Sequence, residues 1–220
     1  MCIRDSAYLD SIPLVCISGQ VATSVIGTDG FQEADITGLT RSCTKYNYLV
    51  KDVNDLGRII HEAFYIARTG RPGPVLIDIP KDVQNGFGIY NGLIEPTRAS
   101  YQIKKRQFEL HHDKISAAVD LIEKAARPIF YTGGGIINSG EKASELLLKL
   151  VHETGYPITN TLMGLGGFPA SDAHFVGMLG MHGTYEANMA MHDCDLMINI
   201  GARFDDRVTG RVSGLSLIHI

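Results

Sequence analysis

Several stretches of the chain are apolar runs too short for helices and closed by turn residues. They include 12–19 (Ile-Pro-Leu-Val-Cys-Ile-Ser-Gly) and 74–80 (Pro-Val-Leu-Ile-Asp-Ile-Pro). Runs of this kind predict strands buried on both faces. Between them, segment 52–70 places Val53, Leu56, Ile59, Ile60, Ala63, Phe64 and Ala67 on one helical face. Asp52 or Asn54 can cap its start, and Gly70 with Pro72 can stop it. Strand, helix and strand in that order predict a parallel sheet.

From 84 to 107 the periodicity lapses into Gly86, Gly88, Gly92, Pro96 and a polar, basic stretch, the composition of a connector. The alternation then restarts. Segment 113–126 reads as a helix with Ile115, Ala118, Val119 and Ile122 on one face, and 129–132 as a strand that ends in Gly133, Gly134 and Gly135. Segment 139–154 reads as a helix with Ala143, Leu146, Leu147, Leu150 and Val151 inward, followed by strand 156–161, helix 184–191 and strand 195–200. The whole predicts an α/β protein of parallel, doubly wound sheets in two domains, 7–97 and 98–214. Residues 1–6 and 215–220 lack capping or turn chemistry that joins them to this pattern, and read as a non-native leader and tail.

Composition narrows the partners. At 220 residues, 45% hydrophobic and 20% charged, the chain has the make-up of a globular protein. Its net charge of −4, with no basic run longer than Lys104-Lys105-Arg106, offers no footprint for a phosphate backbone, so nucleic acid is not an expected partner. No segment approaches the roughly 20 apolar residues of a spanning helix, so no membrane is expected either. Cys2, Cys16, Cys43 and Cys194 are far apart without a CxxC pair and read as reduced, intracellular thiols. His61, His111, His112, His174, His182 and His192 show no metal-ligand spacing, and no metal site is expected.

In an open parallel sheet, ligands bind beyond the carboxyl ends of the strands. Three such loops stand out: 133–136, 160–167 and 201–210. Their glycines let backbone N–H groups approach a phosphate, and Arg203 and Arg207 can neutralise its charge. Together they describe a nucleotide-cofactor site. Singly, each glycine cluster serves equally well as a tight turn. Asp205 and Asp206 read first as solvated residues or as internal partners of the two arginines. The pattern is not GxGxxG and offers no acidic residue for a ribose, which argues against an NAD site. In the first half, 27–33 suits either a site lining or a capped helix start. Lys81, just past strand 74–80, suits either an anion contact or an ordinary strand end.

Segments 11–21, 26–35 (Ile-Gly-Thr-Asp-Gly-Phe-Gln-Glu-Ala-Asp), 44–50, 70–82 and 201–210 (Gly-Ala-Arg-Phe-Asp-Asp-Arg-Val-Thr-Gly) resemble the catalytic large subunits of the acetolactate (acetohydroxyacid) synthase family of thiamin-diphosphate enzymes. The resemblance covers residues 8–213. It implies a multidomain α/β enzyme that decarboxylates pyruvate and joins the two-carbon unit to pyruvate or 2-ketobutyrate in branched-chain amino acid biosynthesis. The first half would be the later part of a pyrimidine-binding domain, and the second a Rossmann-like central domain holding FAD in a structural role.

By motif, the resemblance implies FAD contacts at Arg71, Gly133, Gly134, Gly135, Thr161, Leu162, Met163, Met181, His182, Gly183, Gly201, Ala202, Arg203, Asp205, Arg207 and Val208. It implies an active-centre lining by Phe31, Gln32 and Lys81. It further implies thiamin diphosphate and Mg²⁺ for the whole family protein, a homo-oligomer with a small regulatory subunit, and a cytoplasmic location. The family's activating glutamate and its Gly-Asp-Gly segment are not among these 220 residues, so the chain alone is expected not to turn over pyruvate. Ala22 stands where many relatives have proline. Glyoxylate carboligase and pyruvate oxidase share the architecture, but loop 201–210 and the setting of Lys81 favour acetolactate synthase. A stand-alone nucleotide-binding module would leave the motifs of the first half without a purpose.

Overall fold

The computed structural model describes residues 3–92 and 111–210. They belong to two compact units, Met1–Phe108 and Glu109–Ile220. The boundary expected at 97/98, the basic run 104–106 and the tail 215–220 lie outside the described residues.

In the first unit the order is α1 (Ile3–Leu9), β1 (Leu14–Gln20), α2 (Ile36–Thr40), β2 (Tyr46–Leu49), α3 (Leu56–Arg68), β3 (Pro74–Pro80) and α4 (Lys81–Gln84). Residues 3–6, read from the sequence as leader, form the first turn of α1. The three strands are parallel in the order β1-β3-β2, which puts β3 at the centre. All seven residues of β3 are buried, as a central strand covered on both faces requires. Val75, Ile77 and Ile79 face one way and pack with Ile59, Ala63, Ile66 and Ala67 of α3. Asp52 caps the short 3-10 turn leading into α3, accepting from the Asn54 N–H at 2.9 Å. Strand β1 differs from the fully buried strand expected: it lies at the sheet edge, and Ile17 is 63% exposed. Phe64, expected on the inner face of α3, is also exposed.

In the second unit the order is α5 (His112–Lys124), β4 (Pro128–Thr132), α6 (Gly134–Asn138), α7 (Glu141–Thr154), β5 (Ile158–Asn160), β6 (Phe175–Met178), α8 (Tyr185–Asp193), β7 (Leu196–Ile200) and α9 (Asp206–Thr209). The sheet is all parallel in the order β6-β5-β4-β7. Alternation along β4 builds two cores. Phe130 packs with Leu147 and Val151 of α7, whereas Ile129 and Tyr131 pack with Ala187 and Met191 of α8. Helices therefore cover both faces, and the unit is doubly wound. Two helix faces are narrower than the periodicity suggests. In α7 the buried residues are Leu147 and Val151, while Leu146 and Leu150 are exposed. In α5 no residue is fully buried, and Ile115 and Val119 stay exposed because nothing among the described residues of the unit covers them.

Candidate functional site

The strand order of the second unit locates its ligand end. Numbered within the unit, β6-β5-β4-β7 is 3-2-1-4, so chain direction across the sheet reverses between β4 and β7. A crevice forms beyond the carboxyl ends of two strands at such a switch point. The loops there are 133–135 and 201–208, and they touch. The Gly135 N–H donates to the Gly201 carbonyl at 2.9 Å, and the Gly133 N–H to the Ile200 carbonyl at 3.2 Å. A Cβ on Gly133 would lie 2.5 Å from Ala202 Cα, and one on Gly135 2.6 Å from Gly201 Cα. Glycine is required at both positions by backbone against backbone. Gly201 also adopts φ +70°, which disfavours any side chain.

The other two loops join the same edge. Thr161 donates its N–H to the Thr132 carbonyl at 2.9 Å, and a Cβ on Gly164 would lie 2.9 Å from Gly133 Cα. This holds exposed Leu162 and Met163 beside the first loop, with Met163 packed next to Gly134. From the β6 side, the Met181 N–H donates to the Arg207 carbonyl at 2.8 Å. Asn188 of α8 clamps the same turn, accepting from the Gly180 N–H at 2.9 Å and donating to the Gly180 carbonyl at 3.1 Å. His182 is exposed and Gly183 half-buried on this turn.

Residues 201–210 are shaped by local caps. Asn199 accepts from the Ala202 N–H at 3.1 Å and donates to the Ala202 carbonyl at 2.9 Å. Asp205 caps α9 by accepting from the Arg207 N–H at 3.1 Å. Tyr131, whose hydroxyl donates to the Arg203 carbonyl at 2.8 Å, supports the loop from the core. Burial holds the Tyr131 phenol well above its usual range, with the Asp205 charge adding to the effect. Arg203 pairs with Asp205 at 3.4 Å and Arg207 lies 3.9 Å from Asp206, with both guanidinium groups more than half exposed. Exposed pairs of this kind are weak and exchange readily for a phosphate. The exposed side chains of Leu162, Met163, Met181 and Phe204 add an apolar surface. Two exchangeable arginines and glycine backbone along one strand edge suit the phosphates of a nucleotide cofactor, with an apolar patch beside them.

Arg71, the remaining residue of the implied flavin set, lies in the first unit. There its Nε donates to Ser11 Oγ at 2.8 Å, and its Nη2 to the Tyr8 and Leu9 carbonyls at 3.2 and 3.0 Å.

Phe31, Gln32 and Lys81 share the carboxyl end of the first sheet. Gln20 ends β1 opposite Pro80 of β3, so the loop after β1 and Lys81 leave neighbouring strand ends. Asp82 ties them together by accepting from the Thr23 N–H at 3.0 Å and from the Thr23 hydroxyl. The hydroxyl, then the amide, holds the Asp82 carboxyl below its usual range. Glu33 closes the turn ahead of it, accepting from the Gly27 and Gly30 N–H groups, which depress its carboxyl in that order. Phe31 stands 91% exposed on this turn, and Gln32 takes a left-handed φ of 64°. A left-handed glutamine costs on the order of 1 kcal/mol, held here by the surrounding clamps. Beneath, buried Asp78 accepts from Ser18 Oγ at 2.7 Å and Gln20 Nε2 at 3.0 Å, and Gln20 Nε2 also donates to the Ala34 carbonyl at 2.7 Å. Core and loop are thereby coupled.

The histidine reading changes in one respect. His174 has no ligand spacing in the sequence, yet the fold brings it to Asp172 and to His152 from α7.

Comparison with known proteins extends the picture. Residues 115–220 match the family described as the thiamine pyrophosphate enzyme, central domain. Acetolactate synthase 3, chloroplastic, of Brassica napus is 46% identical over 218 residues, which is 97% of this chain and 33% of that protein. Acetolactate synthase large subunit of Buchnera aphidicola is 47% identical over 94% of this chain and 36% of that protein. Acetolactate synthase catalytic subunit, mitochondrial, of Saccharomyces cerevisiae is 48% identical over 94% of this chain and 31% of that protein. The chain spans about a third of the length of the curated relatives it matches.

Proposed function

From the premise that the chain is a homologue of acetolactate synthase catalytic subunits over nearly its whole length, we propose that it forms the later pyrimidine-domain and central-domain portion of such an enzyme. The activity is the decarboxylating condensation of pyruvate with a second 2-ketoacid, pyruvate or 2-ketobutyrate, on the way to branched-chain amino acids. The single observation that carries this reading is the identity of 46–48% to three acetolactate synthases from a plant, a bacterium and a yeast.

In this reading the four loops at the carboxyl edge of the second sheet hold FAD in a structural role. Arg203 and Arg207 neutralise its phosphates. Gly133, Gly134, Gly135, Gly201 and Ala202 admit it close to backbone, and Thr161, Leu162, Met163, Met181, His182, Gly183, Asp205 and Val208 enclose it. Arg71 completes the set by resemblance alone. Phe31, Gln32 and Lys81 line the active centre and the substrate channel, where they shape the pocket and exclude water. Thiamin diphosphate, when bound in the whole enzyme, supplies the carbon nucleophile. Neither it nor Mg²⁺ is assigned a ligand in this chain. A homo-oligomer, a small regulatory subunit and a cytoplasmic location belong to the same proposal. No helix of the described residues is long and apolar enough to cross a membrane.

A chimera tests this. Residues 8–213 replace the matched segment of the yeast relative, and acetolactate formation is measured. The chimera is expected to be active, and Gln32→Ala within it to lower kcat about tenfold or more by misplacing the pocket wall. A folded, flavin-loaded chimera that forms no acetolactate contradicts the reading, as does pyruvate turnover by the 220-residue chain alone.

A further inference from the structure

We propose that His152, Asp172 and His174 form a binding site for a divalent transition-metal cation, at the end of the second sheet opposite the flavin loops. His152 lies in the last turn of α7, and His174 immediately precedes β6. The strands of this sheet are parallel, and the flavin loops leave their carboxyl ends, so a residue at the start of β6 belongs to the other end. Asp172 stands between the two rings. Its Oδ2 lies 2.7 Å from His152 Nε2 and its Oδ1 2.8 Å from His174 Nδ1, and the three ligand atoms all lie within 4.8 Å of one another.

The set is held from the backbone. The Asp172 N–H donates to the Pro169 carbonyl at 3.2 Å, the His174 N–H to Asp172 Oδ1 at 2.9 Å, and the Phe175 N–H to the Asp172 carbonyl at 3.1 Å. Two neutral imidazole nitrogens and one carboxylate oxygen are the donor set preferred by Zn²⁺ and its neighbours, and are poorly suited to Mg²⁺ or Ca²⁺. Ligands about 2.0–2.2 Å from a tetrahedral ion stand roughly 3.3–3.5 Å apart. The two N···O pairs are slightly closer than that, as hydrogen-bonded pairs are, and the ligand atoms lie within 4.8 Å of one another. One cation in place of the hydrogen bonds requires the two rings to close on it by up to about 1.5 Å, which the half-exposed His152 side chain can follow. Water would complete the coordination on the open side. The bound ion would pin the end of α7 to edge strand β6.

The test is a titration of the intact chain with Zn²⁺ and, separately, with Co²⁺. One equivalent is expected to bind saturably. Co²⁺ should develop ligand-field absorption of a site with nitrogen and oxygen donors, and Zn²⁺ should raise the melting temperature. His152→Ala and Asp172→Asn should each weaken binding more than tenfold and remove the Zn²⁺-dependent shift, while His192→Gln, on α8, should change neither. Because His152 is half exposed, its alanine variant should retain the native circular dichroism, and Asp172→Asn keeps the side-chain shape where alanine would not. Absence of saturable binding overturns the proposal. So does binding that survives both substitutions, which would place the ion elsewhere.

Discussion

Gly135→Ala is expected to cost the second unit about 3 kcal/mol or more and to weaken flavin binding at least a hundredfold. The added Cβ would lie 2.6 Å from Gly201 Cα and 2.8 Å from the Gly201 carbonyl oxygen. No flexible side chain stands there to move aside, and Gly201 sits at φ +70° with its own Cα hydrogens directed at Gly135. The two loops at the switch point must therefore part, and the 2.9 Å hydrogen bond from Gly135 to Gly201 is lost with them. Gly155→Ala is the control for a glycine substitution without a clash. Gly155, unlike Gly135, sits in the left-handed region at φ +70°, but nothing lies within 4 Å of its added Cβ. It should cost only the backbone strain, about 1–2 kcal/mol, and leave flavin affinity unchanged. Urea unfolding with flavin titration of both variants measures the contrast. Equal stability of the two would show that the loops do not meet as described.

Arg58→Met is expected to destabilise the first unit by about 3 kcal/mol, although Arg58 itself is partly exposed. The cause is Glu62, which is 1% exposed in the middle of the apolar stripe of α3. Its carboxylate accepts from Tyr48 Oη at 2.7 Å and from Arg58 Nη1 at 3.0 Å. Arg58 is fixed in turn by Asp55 at 2.9 Å, and the two carboxylates hold its guanidinium above its ordinary range, Asp55 contributing first. Without Arg58, the buried Glu62 charge keeps the Tyr48 hydroxyl as its one side-chain donor among the described residues. The double variant Arg58→Met with Glu62→Leu removes the stranded charge as well and should recover most of the loss. A double variant no more stable than Arg58→Met would show that packing of the arginine stem, not the stranded carboxylate, sets the cost.

Much of this architecture was legible in the sequence where a strand or helix carries its own signal. Strand β3 appears at its full extent because the apolar run 74–80 is bracketed by prolines, and α3, α7, β4 and β7 fall within a few residues of their expected positions. Strands β2 and β6 carry no such signal because Tyr-Asn-Tyr-Leu and Phe-Val-Gly-Met are too short for a run, and β6 meets β5 through an irregular register with Gly177 at φ +103°. The loop after β6 has no strand signal ahead of it, so Met181, His182 and Gly183 follow from the resemblance alone. Periodicity found the apolar face of α5 but says nothing of whether the unit covers it. Isolated polar residues inside apolar segments were the unused signal. Asp78 in β3, Glu62 in α3 and Asn199 in β7 each anchor a hydrogen-bond network. His152 and His174 meet only in three dimensions.

The most direct test of the central claim is a titration of FAD into the 220-residue chain, read by flavin fluorescence, with Arg203→Ala and Arg207→Ala alongside. The chain contains no tryptophan to quench or sensitise the signal. Saturable one-to-one binding, protection of loop 201–210 from proteolysis, and a loss of about 10-fold to 100-fold in affinity for each arginine variant are the predicted results. A chain with intact α/β circular dichroism that binds no flavin, or binds it equally well without either arginine, would contradict the assignment of these loops.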